Sequence, residues 1–424
     1  MKQAAFAAAL AMGYAGLYAQ APPQANVARA TSPSTAPLTL PQALVIARRD
    51  NPLLLGARQH VDAVRANEIT ASLRQNPYLV AESTQTGLAS DDPSGPTFVG
   101  AGLQRLFERG GKRDLRIAAA RGTTAVATSQ SEDQQRLLDL NVRSAFTRML
   151  VAKLALAIAQ QNLADYRRTV ELQRVRLQVG DVDRTDFDRI ELQLVNFESD
   201  ETNATLNLTQ ASQQLQTLLG YAHPVDSFDI DGKLDLSPLP QSLPELEAAA
   251  VRARPDLRAA EQQVQANDAV TRLAIAQGKA DPTIGAEYEH SGRETTFGTN
   301  LNLPIRLFDR NQGEKERTRL EAQSSRSLLA AQRNQVVSDV DQAYAAYQAA
   351  RVQAQRYQDK YLDEAAHVRD NLQFSYRNGN TTLLDYLSAL SEYRQINLAA
   401  IQAQAQAALA LHQLSYATAT EVNP

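Results

Sequence analysis

The chain has 424 residues with no cysteine and no tryptophan, a formal net charge of −4 and a pI near 5.8. These values exclude disulfides, thiolate metal sites and a cysteine nucleophile, and they leave no basic footprint for nucleic acid. Only 19 glycines and 17 prolines punctuate the chain, and much of its apolar content is alanine, which favours long helices over a many-turned sheet protein.

The opening stretch, "MKQAAFAAALAMGYAGLYAQAPPQ", joins one lysine to a run of small and apolar residues and then a proline pair. This is the pattern of a secretory signal over residues 1–21, cleaved after Ala19 or Ala21, with a frayed alanine-rich helix as the alternative. Without a cysteine no lipid anchor can be attached at the new N-terminus. A flexible linker over residues 22–40 follows. No later run approaches the ~20 apolar residues of a membrane helix, so any membrane crossing falls to strands.

From there the chain is written twice. Arg48–Glu68 resembles Val251–Ala269, with Pro52 matching Pro255; Asn76–Gly87 matches Asp281–Gly292; Leu106–Arg113 matches Leu307–Glu314. The turn "VRLQVGDVDRTDFDRIELQ" matches "FSYRNGNTTLLDYLSALSE", with Gly180 on Gly379, Asp186 on Asp385 and Phe187 on Tyr386. Four matches in the same order indicate a duplication. The first repeat covers residues 41–220, an equatorial linker 221–244, the second repeat 245–418, and a tail 419–424.

Each half reads as helix, strand, strand, very long helix, turn, helix. Pro52 and Pro255 open the first helices, and Asn76-Pro77 and Asp281-Pro282 stop them. Strands are expected over residues 78–86, 97–107, 283–291 and 296–307, with "SDDPSGP" (Ser90–Pro96) as the loop of the first hairpin. In the last strand Phe297, Thr299, Leu301, Leu303 and Ile305 share one face and Gly298, Asn300 and Asn302 the other, a barrel-strand pattern that a surface hairpin also shows.

Between Gly111 and Gln178 no proline interrupts, so a single helix of about 100 Å is expected. Within it Leu138, Val142, Ala145, Met149, Ala152, Leu156, Ala159, Leu163, Tyr166 and Val170 form a heptad seam. Val336, Val340, Ala343, Tyr347, Ala350, Ala354, Tyr357 and Tyr361 form its counterpart, so both halves are expected to be coiled-coil hairpins. The return helix, Thr185 to Leu219, covers about half the long one, and the first helix, stacked on its end, supplies the rest. Gly180 and Gly379 then mark two tips at one end of the molecule. Four strands cannot close a barrel, so several chains would pool them.

Over essentially all of the chain beyond the signal, both repeats included, the sequence resembles the TolC-type outer-membrane efflux proteins. Glu108–Ala120 and Leu307–Gln323 are most similar to the heavy-metal, cobalt–zinc–cadmium branch. The resemblance implies a mainly α fold with a small β part: a homotrimer whose duplicated helical hairpins form a periplasmic tube, joined to a twelve-stranded outer-membrane β-barrel set in lipid. It implies a passive exit duct, without cofactor, that docks on a periplasmic adaptor (membrane fusion) protein. A proton-driven inner-membrane pump of the resistance-nodulation-division type delivers the cargo, heavy-metal cations in that branch, in a Gram-negative-type bacterium.

The resemblance also places the adaptor contacts and the periplasmic gate at the tips. Val179, Gly180, Asp181, Asn378, Gly379 and Asn380 fall on the turns that meet the adaptor. Asp385 falls where an aspartate constricts the family's pore; a second aspartate is common three residues later, but here that residue is Ser388. Asp183 and Asp186, in the four-aspartate run of the first tip, are further gate positions, and both also fit helix capping. The five histidines are scattered without metal-ligand spacing, and "ERGGKR" lacks a phosphate-loop pattern, so neither a metal site nor an enzyme is expected. Alternatives are an outlet for a multidrug or type I secretion system, and a soluble periplasmic coiled-coil adaptor or scaffold.

Overall fold

The computed structural model describes residues 37–85, 97–234 and 239–422. The signal segment, most of the first linker and the Ser90–Pro96 loop lie outside the described residues. In chain order the elements are α1 (Leu40–Asp50), α2 (Pro52–Ser72), β1 (Tyr78–Gln85), β2 (Thr97–Leu106), α3 (Lys112–Gln178) and α4 (Arg184–Leu218). The second half repeats them as α5 (Leu243–Ala253), α6 (Pro255–Gln277), β3 (Thr283–Ser291), β4 (Glu294–Asn302), α7 (Gln312–Arg356), α8 (Leu362–Arg377) and α9 (Leu383–Thr418).

The short helices α1 and α5 went unread in the sequence, and they start inside or at the edge of segments assigned to linkers. Their signal is a capping box: Thr39 with Gln42, and Ser242 with Glu245, each followed by a first-turn proline. A parallel bridge between Leu38 and Ile230 ties the entry strand to the equatorial linker. There α1 closes an apolar cluster of Ala43, Leu44, Val142, Met149 and Leu215, and α5 closes its counterpart of Leu246, Val336, Val340, Tyr347 and Leu414.

The end-to-end stacking is realised, and one buried side chain secures each joint. Asn51 accepts from the backbone N–H of Leu53 and Leu54 at the start of α2, while its Nδ2 donates to Leu218 O at the end of α4 (2.9 Å). At the second joint Arg254 donates to Ala417 O in α9 and pairs with Asp256 (2.6 Å) and Asp339 (2.9 Å). Gly122 sits in mid-helix because α3 and α6 nearly touch: a Cβ there would lie 2.9 Å from Ala266.

The seam of α3 holds along its length; all the seam residues named above are buried except the half-buried Leu156. The second seam departs from expectation. After Ala354 a π-helical segment, Tyr357–Tyr361, inserts a residue, and Tyr361 is 41% exposed instead of buried. The inward stripe resumes one residue later than the heptad count, on the buried Ala365 and the half-buried Leu362, Arg369, Leu372 and Tyr376, because the wide turn absorbs the extra residue without rotating the helix.

The strands form one antiparallel sheet in the order β1-β2-β3-β4. β4 ends at Asn302, short of the expected residue 307, since Pro304 offers no N–H for the ladder. The register sorts the sheet into two faces. Row by row, Leu79, Leu103, Ala286 and Thr299, then Ala81, Ala101, Tyr288 and Phe297, lie on one. Glu82, Gly100, Glu289 and Thr296, then Val80, Gly102, Glu287 and Gly298, lie on the other. No described helix is long and apolar enough to cross a membrane.

The bend from sheet to helix is pinned across the halves. Lys112, 5% exposed, donates to Lys279 O (2.7 Å) and Asp281 (2.5 Å), and the other Asp281 oxygen accepts from Arg109 N.

Candidate functional site

The two tips use one backbone device. At each, a glycine with left-handed φ, +79° at Gly180 and +72° at Gly379, follows the last helical residues. Gly180 N donates to Leu177 O and Asp181 N to Arg176 O; Gly379 N donates to Tyr376 O and Asn380 N to Ser375 O. This paired pattern satisfies the last carbonyls of the helix and requires a residue that tolerates positive φ. The expected adaptor-contact residues Val179, Gly180, Asp181, Asn378, Gly379 and Asn380 therefore sit together on two exposed, equivalent turns.

The charges on these turns differ. In the first tip Asp181 pairs with Arg176 (2.7 Å), Asp188 with Arg184 (3.0 Å) and Asp186 with Arg189 (4.0 Å). Asp183 is the N-cap of α4, accepting from Thr185 N at 2.9 Å, and this hydrogen bond holds its carboxyl below the usual range. The capping expectation is met at Asp183; Asp186 lies in the first turn without a cap bond. Three arginines thus offset a run of carboxylates.

In the second tip Asp385 occupies the third position of α9 and closes a capping box with Thr382. Its Oδ2 accepts from the Thr382 hydroxyl (2.6 Å) and the Thr381 hydroxyl (3.1 Å), and these bonds lower its pKa. Asp385 is therefore a cap, the alternative that its position after a helix turn also suggests, as well as a gate candidate. It is exposed, ionised at neutral pH, and among the described residues has no cation at ion-pair distance; Ser388 is exposed one turn on.

Behind the turns lies an aromatic cluster that sequence reading did not single out as a site. Tyr166 stacks on Phe197 (4.4 Å) and Tyr376 on Tyr386 (5.4 Å), with Phe187, Ile190 and Leu383 between them. Tyr166 donates to Ile190 O, and burial raises the phenol pKa of both Tyr166 and Tyr376. Arg394 ties α9 to Asp200 on α4 at 2.9 Å. Bulky rings at seam positions on both sides of each turn, in an otherwise alanine-rich seam, were the available signal. Among the described residues no group of three or more His, Asp or Glu gathers as a metal holder.

The family model for outer membrane efflux proteins matches residues 43–221 and 248–420, one span per repeat. The cobalt-zinc-cadmium resistance protein CzcC of Cupriavidus metallidurans is 24% identical over 355 residues, covering 83% of each chain. The outer membrane efflux protein BepC of Brucella suis is 25% identical over 401 residues, covering 90% of this chain and 85% of its own. The crystal structure of CusC, described as a transmembrane channel, superposes with a TM-score of 0.77 at 18% identity, covering 89% of this chain and 91% of its own.

Proposed function

The chain belongs to the outer membrane efflux protein family, whose members are outer-membrane channels of tripartite systems with a helical body in the periplasm, and from that premise we propose that it exports heavy-metal cations. Channels of this family are trimers that work with a periplasmic adaptor and an inner-membrane pump; here we take the pump to be of the proton-driven resistance-nodulation-division type.

The observation that carries the cargo reading is the polar face of the sheet. When three such sheets close into a barrel, the apolar face with Leu103, Tyr288 and Phe297 turns to lipid and the other to the lumen. That inner face carries Glu82, Glu287, Glu289 and Glu294, and among the described strand residues no lysine or arginine. Glycines at 100, 102 and 298 flank the carboxylates, and Asn300 steadies Glu287 by donating to Oε2 at 2.8 Å. A lumen of one charge sign raises the local concentration of cations and depletes anions. CzcC adds support, since its name ties a similar chain to cobalt, zinc and cadmium. At the periplasmic end the reading places Asp385 at the gate, with Ser388, Asp186 and Asp183 near it, and the two glycine turns against the adaptor.

Deleting the gene in its host and scoring growth tests the cargo. Tolerance to zinc, cobalt and cadmium should fall and return with the gene. Unchanged metal tolerance with lost dye or antibiotic tolerance would replace the metal reading with a multidrug outlet.

A further inference from the structure

Where the sheet meets the helices, the lipid-side face does not end with the strands. On β2 it continues from Leu103 through Arg105 to Phe107, and the Arg105 guanidinium lies 5.4 Å from the Phe107 ring centroid. After β4 the chain presents Ile305, Leu307 and Phe308, the last 90% exposed. Interleaved with these apolar groups are Arg105, Arg109, Arg306 and Arg310.

The carboxylates of this region are already engaged. Glu108 pairs with Arg116, Asp281 with Lys112, and Glu314 with Arg317, while Asp309 accepts from Asn311 N. Among the described residues none of the four arginines has a carboxylate at ion-pair distance, and Nε of Arg306 is buried without a hydrogen-bond partner. Arg105, Arg109 and Arg310 are exposed, so their guanidinium groups are free to meet an acceptor from outside the protein. β2 is an inner strand, paired on both sides within one chain, so a neighbouring subunit's strand cannot pair along it.

We infer that this collar binds the headgroups of anionic glycerophospholipids in the periplasmic leaflet. The arginines take the phosphates, which guanidinium forks match in shape and charge. Phe107, Ile305 and Phe308 lie at the acyl-chain boundary, as aromatic girdles of membrane barrels do. A zwitterionic headgroup brings its own ammonium to a site that already has surplus positive charge, so net charge decides the choice. The inference rests on the barrel reading above, which sets the face that meets lipid.

The test uses the purified, delipidated full-length protein in native mass spectrometry with phosphatidylglycerol and phosphatidylethanolamine of the same chains. The wild type should retain phosphatidylglycerol at least about fivefold better, the factor expected of one engaged cation, even with excess inorganic phosphate present. The preference should vanish in the quadruple variant Arg105→Gln, Arg109→Gln, Arg306→Gln, Arg310→Gln and survive when the same four become lysine, which controls for misfolding. Equal retention of both lipids, displacement by inorganic phosphate, or a quadruple glutamine variant that keeps the preference would each overturn it. Failure to enter vesicles at all would instead overturn the barrel reading; insertion without headgroup preference overturns only the collar.

Discussion

The two halves of this chain are copies that have kept their backbone devices and changed their charges and their continuity. Both enter through a capping box, break at a proline, stack two helices end to end and reverse at a left-handed glycine. Yet the first joint rests on a neutral asparagine and the second on a buried arginine held by two aspartates. The first long helix is continuous, and the second contains a π segment. The first tip balances its aspartates with arginines, while the second exposes Asp385 without a cation. The duplication has thus kept its turns and joints more closely than its side-chain electrostatics or the continuity of its long helix.

Length changes should separate the halves most strongly. Removing Asp359 from the π segment should leave a continuous α-helix with its seam in register, because burial there already runs one residue late. Thermal unfolding should then shift little. Removing Gln160 from α3 rotates Leu163, Tyr166 and Val170 by about 100° away from α4, and the folded protein should be lost. Equal damage from both deletions would contradict the seam assignment.

The joints come next. Arg254→Ala strips Asp339 of its cation and leaves Asp256 with Arg136 (3.4 Å), and should cost about 3 kcal/mol in denaturant unfolding. Asn51→Ala, a lost cap without stranded charge, should cost about 1–2 kcal/mol.

His412 differs from Gln213, its counterpart when the glycine turns are aligned. It is half-buried between the halves against Thr147 (2.9 Å), and desolvation, aided by Arg143, pushes its pKa down to about 4. The unfolded chain takes up the proton near 6.5 and the folded one only near 4, so stability is complete above about pH 6.5 and declines as pH falls toward 4. The loss should reach about 3 kcal/mol and disappear in His412→Gln.

The smallest effect on stability belongs to the tips. Asp183→Ala and Thr382→Ala should each cost about 1 kcal/mol. Conductance should distinguish what stability does not: Asp385→Ala should increase single-channel current severalfold, and Asp186→Ala, whose charge Arg189 offsets, should change it less. Matching responses would remove the distinction between the tips.

Much of this architecture was legible in the sequence because it rests on local signals that repeat. Pro52 and Pro255, the glycine turns and the alanine seams fix elements by backbone chemistry alone, and duplication reads each twice. The failures have equally physical causes. α1 and α5 are short helices whose main signal is the capping box at Thr39 and Ser242. The π segment is invisible to a heptad count because an inserted residue looks like one more helical residue. At Asp385 the sequence left gate and cap both open, since the cap depends on the adjacent hydroxyls of Thr381 and Thr382, and the balanced charge of the first tip depends on which arginine reaches which aspartate. The acidic face emerged only when the register of all four strands was known, since its carboxylates come from β1, β3 and β4 separately.

The central claim is a barrel whose lumen favours cations. The direct measurement is the reversal potential of purified protein in planar bilayers under a salt gradient, compared with the variant Glu82→Gln, Glu287→Gln, Glu289→Gln, Glu294→Gln. The account predicts cation-selective wild-type channels and a reversal potential that moves toward zero in the variant. Anion-selective wild-type channels, or a variant with unchanged selectivity, would contradict it.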